Sequence, residues 1–435
     1  MWGDRARFFA ALVVCVGLAA PARAVVTGAI FGPGSESFAI AVMPLENLGG
    51  DAGGDLGTRF ARALSRDLEL SGYFRLLDPN TFIETPQSGI TAADTDFVGW
   101  AALGAQAVVK GGVTVAGDTI TVEVRVLDVP GRQEVAQIGR RYTGPRGEIG
   151  RMAHKTADSI LEFLTGERGP FDSQIAFVRS RGGPLKDVYR LTFDMDEPAR
   201  VTDERTIIVS PRWRPDLRAV LFTSFRQHRP RLFQVELGSR QVSSIGAGVF
   251  FDGAWSPDGT TLLVTREEAG NSDIHLLDRG GRELRQMTDH WQIDVAPAWA
   301  PDGGRFAFCS SRGGSPQVYV MNVDGSALAR VSRTGGYNTS PAWSPKGDRL
   351  AWATRAGGSF QVVVADADGG NAKTITAAGN NENPSWAPDG RYLVFSSTRG
   401  GRRHLVLADR DGRTQKELTR GAADDTSPAW SRRLE

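Results

Sequence analysis

The sequence predicts a two-domain protein, in which an N-terminal α/β domain is followed by a closed six-bladed β-propeller. A tryptophan-containing turn recurs six times at intervals of 42 to 44 residues, which is the period of propeller blades. Only a few residues follow the last turn, and the strands that it lacks are found before the first turn. Residues 38–166 have no such repeat and combine helical with strand patterns, so we assign them to a separate domain.

The first 24 residues have the pattern of a secretory signal peptide. Arg5 and Arg7 precede a short apolar stretch (8–20), and Ala-Arg-Ala at 22–24 matches a cleavage site with small residues. The apolar stretch is short for a bilayer span. We therefore expect export to the periplasm, with cleavage before Val25.

Residues 25–37 (VVTGAIFGPGSES) stand apart from both domains. They are rich in glycine and follow the expected cleavage site. One interpretation is a frayed terminus. The other is a mobile arm that adds as a strand to a partner protein, because VVTGAIF is apolar enough to pair. The residues alone leave both open.

The composition gives no reason to expect a nucleic-acid partner or a disulfide. The chain carries 51 basic and 50 acidic side chains, so no charge excess favours an anionic surface. Cys15 lies in the signal segment, which leaves Cys309 without an intrachain partner. Cys309 lies in the strand pattern RFAFCSS, and we interpret it as a buried, unreactive thiol.

Residues 38–166 are predicted to fold as one α/β domain. Segments 54–72 and 147–166 have apolar residues at helical spacing, and Gly166 fits a helix C-cap. The remaining predicted elements are strands at 38–45, 73–78, 106–117, 118–129 and 133–144, and a short helix near 95–104. Residues 167–173 are predicted as a linker, and the propeller as 174–435.

Each repeat encodes four short strands, as one unit at 299–332 illustrates. Proline and Asp-Gly are suited to the tight turn, and the tryptophan before them is expected to pack between neighbouring blades. The six copies are RWRPDL (212–217), AWSPDG (254–259), AWAPDG (298–303), AWSPKG (342–347), SWAPDG (385–390) and AWSRRL (429–434).

The ring is predicted to close between the two ends of the repeat region. The copy at 429–434 supplies one strand of a blade. Segments 174–180, 187–193 and 199–202 match the second, third and fourth strands of a blade. Pairing between them completes the sixth blade and removes the exposed strand edges that invite aggregation.

A search for catalytic motifs leads us to expect no catalytic, cofactor or metal site. The sequence has no G-x-S-x-G elbow, no G-K-[ST] phosphate loop and no H-E-x-x-H pair, and its five histidines are scattered. Two other functions stay open on the residues alone. A propeller hydrolase or lyase needs acidic or histidine side chains clustered in the channel. A glycan-binding propeller presents exposed aromatic rings, which Trp291 and Tyr337 would supply.

One polar constellation is a candidate binding site. Asp294, Asn338, Asn381 and Asp425 each stand five residues before a repeat tryptophan, where the innermost strand of a blade begins. Their predicted neighbours are His290, Trp291, Tyr337, Glu382 and Asp424. In a propeller these positions gather at one mouth of the central channel. They either cap loops with their Asx side chains or form a polar ring that binds a partner, and a channel cation is a third possibility.

In this layout the chain resembles the TolB family of periplasmic proteins of the Tol–Pal system. The resemblance covers the signal segment, the α/β domain, the joint LTGERGPFDSQIAFV (164–178), the six turns and the terminal PAWS (428–431). It implies a non-enzymatic monomeric adaptor without a cofactor. The adaptor would link TolA to the outer-membrane lipoprotein Pal and support outer-membrane constriction at division and envelope integrity. It would meet membranes only through these partners.

The resemblance also implies two partner sites. The polar constellation around the channel mouth would receive Pal. The segment after the signal would bind TolA, and it maps onto Val25, Val26, Thr27, Gly28, Ala29, Ile30, Phe31, Gly32, Pro33 and Gly34.

Overall fold

The computed structural model describes residues 37–180, 185–193, 197–226 and 228–434. The predicted signal peptide (1–24) and the arm residues 25–36 lie outside the described residues. The described residues form one seven-stranded sheet and six four-stranded sheets. The predicted fold class, an α/β domain followed by a closed six-bladed propeller, is confirmed.

The N-terminal domain is a mixed sheet covered by helices. Its elements are β1 (Phe38–Val42), β2 (Glu46–Gly49), α1 (Leu56–Ser71), β3 (Phe74–Leu76), α2 (Phe97–Ala102), β4 (Ala107–Ala116), β5 (Thr119–Asp128), β6 (Gln133–Glu134), β7 (Arg140–Pro145) and α3 (Ile149–Thr165). The strand order is β3-β1-β4-β5-β6, with β2 on β4 and β7 on β5. The pairs of β1 with β3 and with β4 are parallel, and β4 pairs with β5 in antiparallel register.

Helical periodicity explains why α1 and α3 lie on the sheet. In α1 the fully buried Leu56, Phe60, Leu64 and Leu68 recur every four residues and face one core. The helix ends at Gly72, whose φ of 75° is the left-handed conformation that closes a helix at low cost for glycine. Gly166 closes α3 in the same way, with φ at 76°.

The propeller strands follow the predicted order. They are β8 (Ile175–Ser180), β9 (Lys186–Leu191), β10 (Ala199–Arg200), β11 (Ile208–Trp213), β12 (Ala219–Ser224), β13 (Arg231–Glu236), β14 (Val242–Ser244), β15 (Phe250–Trp255), β16 (Thr261–Glu268), β17 (Asn271–Asp278), β18 (Glu283–Gln286), β19 (Asp294–Trp299), β20 (Arg305–Ser310), β21 (Gln317–Asn322), β22 (Ala329–Arg330), β23 (Asn338–Trp343), β24 (Arg349–Ala356), β25 (Ser359–Asp366), β26 (Lys373–Thr374), β27 (Asn381–Trp386), β28 (Tyr392–Ser397), β29 (His404–Asp409), β30 (Gln415–Glu417) and β31 (Asp425–Trp430).

Blade 1 joins the two ends of the propeller. Its strand order is β10-β9-β8-β31, so the last strand of the chain is its innermost strand. β31 runs antiparallel to β8, with Asp425 opposite Arg179 and Trp430 opposite Ile175. Blades 2 to 6 follow in chain order with innermost strands β11, β15, β19, β23 and β27. The ring is therefore closed by backbone hydrogen bonds between its first and last strands.

The α/β domain packs on blades 1 and 6 and shares a hydrophobic core with them. That core continues from α1 and α3 into Tyr392, Leu405 and Trp430 of the propeller. The Tyr392 hydroxyl donates to the Ser71 carbonyl at 2.8 Å. Burial of Tyr392 raises the pKa of its phenol well above the usual value, so this donor keeps its proton.

Candidate functional site

The central channel has two different mouths. All six innermost strands begin at one end, which we call the Asx mouth because four of them start with Asp or Asn. At the other end each strand reaches its tryptophan and the following turn, and we call this end the turn mouth. A cavity of about 420 Å³ lies between tryptophan, proline and alanine side chains contributed by all six strands.

The four Asx side chains predicted at the Asx mouth are brought to it, but all four are fully buried. Asp294 accepts a hydrogen bond from Arg312 at 2.8 Å. Asp425 accepts two from Arg179, at 2.7 and 2.9 Å. Each aspartate thus ties the start of an innermost strand to an arginine of its own blade, and its oxygens face protein rather than solvent.

The two asparagines use both ends of the amide. Asn338 donates to Gln317 of the preceding blade at 2.7 Å and accepts from the Trp352 indole of its own blade at 2.9 Å. Asn381 repeats the first contact, donating to Gln361 at 3.0 Å. An aspartate has no donor when ionised, so only asparagine can make both contacts. The geometry therefore favours the capping interpretation for these four residues.

The neighbouring residues are the accessible part of the predicted site. Trp291 is 78 % exposed, Ile293 43 % and Tyr337 38 %. We call the two aromatic side chains, Trp291 and Tyr337, the aromatic patch. The Trp291 ring lies 5.7 Å from the ring of His290, which is partly exposed. An exposed indole of this size beside a second ring is the kind of anchor that protein interfaces use.

Two acidic members of the prediction lie farther round the same mouth and are partly exposed. Glu382 accepts from the Asn380 amide at 2.5 Å and lies 3.5 Å from Arg403. Asp424 accepts from the Arg403 backbone N–H at 3.1 Å. Both carboxylates therefore keep part of their surface in solvent while Arg403 fixes their position.

Sequence reasoning missed a ring of strained backbone inside the channel. The third residue of every innermost strand has a positive φ, between 51° and 57°, and the strand register shifts there. These residues are Ser210, Asp252, Ala296, Ser340, Asn383 and Ser427. Left-handed conformation in non-glycine residues costs energy and is kept where the surrounding structure imposes it. Three of these residues are serine and five of the six directly precede a proline, but neither pattern by itself indicates a left-handed backbone.

The joint between the domains contains buried charges that the sequence analysis also missed. Asp158 accepts from the N–H groups of Phe171 and Asp172, at 2.8 and 3.1 Å. Asp67 and His154 are buried 2.5 Å apart beside it. Burial raises the pKa of Asp158 to about 7. The sequence signal was an aspartate inside the apolar stripe of each helix, Asp67 in α1 and Asp158 in α3.

The described residues contain no group of three or more His, Cys, Asp or Glu side chains that could hold a metal ion.

Burial raises the pKa of the Cys309 thiol to about 11, and the thiol donates to the Asn338 carbonyl at 3.4 Å. Cys309 is therefore protonated and enclosed, as predicted. In the part of the chain that the structure describes, no helix is long and apolar enough to span a bilayer.

Comparison with known proteins agrees with this architecture. The family model described as TolB amino-terminal domain matches residues 27–135, and the one described as TolB beta propeller domain matches residues 161–434. The crystal structure of TolB from Acinetobacter baumannii superposes with a TM-score of 0.79 and 27 % identity, covering 92 % of this chain and 98 % of that chain.

Curated relatives point the same way. A Tol-Pal system protein TolB from Desulfosudis oleivorans is 36 % identical over 53 % of this chain and 52 % of its own length. One from Anaeromyxobacter dehalogenans is 37 % identical over 67 % of each chain. The match spans about half the length of the first relative and two thirds of the second. The two domain matches together cover most of the chain, and the chain belongs to the TolB family.

Proposed function

We propose that this protein is a non-enzymatic periplasmic adaptor of the Tol–Pal system, which links TolA to the outer-membrane lipoprotein Pal. In this role it supports outer-membrane invagination during division and the integrity of the envelope. The observation that carries the proposal is membership of the TolB family over both domains, with relatives named as Tol-Pal system proteins. Export to the periplasm rests on the signal pattern of residues 1–24.

We place the Pal site at the Asx mouth and divide the predicted residues into two roles. The exposed Trp291 and Tyr337 are assigned to direct contact, together with the partly exposed His290, Glu382 and Asp424. Aromatic rings offer large contact area at small entropic cost, and the two acidic groups at the rim give specificity.

The buried Asp294, Asn338, Asn381 and Asp425 are assigned to positioning the loops that carry the contact residues. Asn338 illustrates the point, because it directly follows Tyr337 and its amide also donates to the Thr334 carbonyl at 2.9 Å. Without this side-chain amide, the loop from Thr334 to Tyr337 would lose a hydrogen bond that holds it in place. These four residues therefore act on Pal binding through the loops.

Calorimetric titration with the soluble domain of Pal from the same cell tests this site. Trp291→Ala/Tyr337→Ala should weaken binding at least tenfold with only a small change in melting temperature, because the Trp291 ring is largely exposed and the Tyr337 ring contacts the protein mainly through Phe360. Leu284→Ala/Leu328→Ala is the control: both leucines are also exposed apolar side chains, but they lie at the outer strands of blades 3 and 4. Equal loss in both variants, or no binding by folded wild-type protein, rejects the site or the partner. Binding of a glycan at the patch would then favour the glycan-binding alternative.

The TolA site is proposed on residues 25–34, which lie outside the described residues. The described chain begins directly before β1, whose Phe38 donates its N–H to the Tyr73 carbonyl at 2.9 Å. Removal of 25–34 should therefore leave the α/β sheet intact and abolish TolA binding. Pal binding by the same truncated protein is the control. Unchanged affinity for TolA would reduce the arm to a frayed terminus.

A further inference from the structure

The turn mouth carries positive charge that the adaptor function does not use. Two of the six turns depart from the common pattern: RWRPDL at 212–217 and AWSRRL at 429–434. They belong to blades 2 and 1, which are neighbours, and the Trp213 indole donates to the Ala429 carbonyl across their seam at 2.9 Å. Their arginines therefore gather on one side of the turn mouth.

A second cavity, of about 610 Å³, opens beside the channel at this place. It lies between the deviant turns and Arg151 of α3. Arg214, Pro215, Leu217 and Arg432 line both this cavity and the channel cavity. The two cavities therefore lie side by side, one at the domain junction and one in the channel.

The lining of the second cavity is strongly cationic. It contains six arginines and two aspartates: Arg151, Arg214, Arg218, Arg279, Arg432, Arg433, Asp216 and Asp258. Arg214 forms an ion pair with Asp216 at 2.8 Å and a second one with Glu236.

Three more of these arginines have protein partners. Arg151 pairs with Asp172 at 2.9 Å, and Arg279 lies 3.6 Å from Asp216. Arg433 donates to the carbonyls of Gly169 and Arg168. The side chains of Arg218 and Arg432 have no hydrogen bond or ion pair with any described residue, so two guanidinium groups remain for a ligand.

A buried donor in the channel cavity points to a ligand as well. Trp255 lines this cavity and is 7 % exposed, and its indole N–H has no acceptor among the described residues. The indoles of Trp299 and Trp386 each donate to a carbonyl of the preceding blade, at 2.9 and 3.1 Å. A buried donor without an acceptor is unfavourable, and a bound carbonyl would satisfy it.

We propose that the turn mouth binds an acidic peptide segment of a partner protein, at a second site distinct from the aromatic patch. Carboxylates of the peptide pair with Arg218 and Arg432, because a guanidinium group and a carboxylate can form two parallel hydrogen bonds. A backbone carbonyl of the peptide accepts from Trp255. The tryptophan and proline walls of the channel favour a peptide over a free inorganic anion, which would leave this apolar surface uncovered.

Fluorescence anisotropy with labelled hexaglutamate and the full chain tests the proposal. Arg218→Gln/Arg432→Gln should weaken binding at least tenfold. Arg355→Gln/Arg402→Gln removes the same charge from two exposed arginines on hairpins at the Asx end of blades 5 and 6, and should change binding less than twofold. Trp255→Phe should weaken binding about fivefold, the usual effect of one hydrogen bond.

Several outcomes would overturn this assignment. Equal weakening in the two arginine variants would mean diffuse surface charge. Complete displacement of hexaglutamate by an equal concentration of inorganic phosphate would mean a small-anion site. Failure of the wild-type protein to bind hexaglutamate would remove the site altogether. Titration of Pal into Arg218→Gln/Arg432→Gln should give wild-type affinity, so this proposal and the Pal site fail independently.

Discussion

The carboxylate of Asp425 accepts two hydrogen bonds from the guanidinium of Arg179, at 2.7 and 2.9 Å, across 246 residues of sequence. The two residues face each other in β31 and β8, the strands that close the ring. Asp425 is fully buried, and its proximity raises the pKa of Arg179. The ion pair therefore neutralises a buried carboxylate and also links the first and last strands of the ring.

Asp425→Ala should lower the free energy of unfolding by about 3 kcal/mol, because it leaves Arg179 largely buried without its partner. Urea denaturation followed by circular dichroism measures the change. Asp411→Ala is the matched control, since Asp411 forms an exposed pair with Arg413 at 3.8 Å and should cost less than about 0.5 kcal/mol. A loss in Asp425→Ala as small as in the control would show that the pair does not contribute to closure.

Deletion of residues 427–435 should prevent closure and produce aggregating protein. It removes most of β31, including Trp430, whose indole donates to the Ser173 hydroxyl at 2.7 Å. Blade 1 would then expose the edge of β8. Size-exclusion chromatography detects the aggregates, with deletion of 433–435 as a control that keeps β31 whole. A monomer with unchanged melting temperature would refute the closure argument.

Two tryptophans at equivalent positions should respond differently to phenylalanine. Trp299 donates its indole N–H to the Ala254 carbonyl at 2.9 Å, whereas the Trp255 indole has no acceptor among the described residues. Trp299→Phe loses this bond and should cost about 1 kcal/mol more than Trp255→Phe. Thermal unfolding of the two variants side by side gives the difference. Equal destabilisation would mean that ring packing alone holds the blade seams.

The domain joint should make stability depend on pH. Burial raises the pKa of Asp158 to about 7 in the folded protein, against an ordinary value near 4 in the unfolded chain. The folded state therefore binds more protons between these values. The stability that Asp158 contributes is full below pH 4 and is lost as the pH rises from 4 through 7, by about 4 kcal/mol in all.

Asp158→Asn removes this titration and should flatten the decline between pH 4 and pH 7. The side-chain amide of the variant keeps one oxygen, which can accept from the Phe171 N–H. Its N–H₂ group cannot accept from the Asp172 N–H, so the overall stability of the variant should also fall. The slope, measured by urea denaturation at each pH, is therefore the informative quantity. Identical slopes in the variant and the wild type would show that other buried groups cause the dependence.

The Asx mouth shows where prediction from sequence reached its limit. Spacing before each tryptophan placed Asp294, Asn338, Asn381 and Asp425 at one mouth, and the structure agrees. Their burial could not be predicted, because it depends on partners such as Arg179 and Gln317 that come from other strands. The exposed Trp291 was identified from its position beside the ring, without any pattern of its own.

The number of blades, the order of their strands and the closure of the ring could all be predicted from the residues. These features follow from a pattern of hydrophobic and turn residues that recurs in each repeat, and a recurring local pattern can be recognised in the sequence. Folding in three dimensions settles which polar groups are hydrogen-bonded inside the protein and which remain available to a partner. It also brought the two deviant turns, 212–217 and 429–434, together at one mouth although they lie at opposite ends of the repeats. Hydrogen bonding and clustering of charge depend on distances between strands that are remote in sequence, and closure of the ring sets those distances.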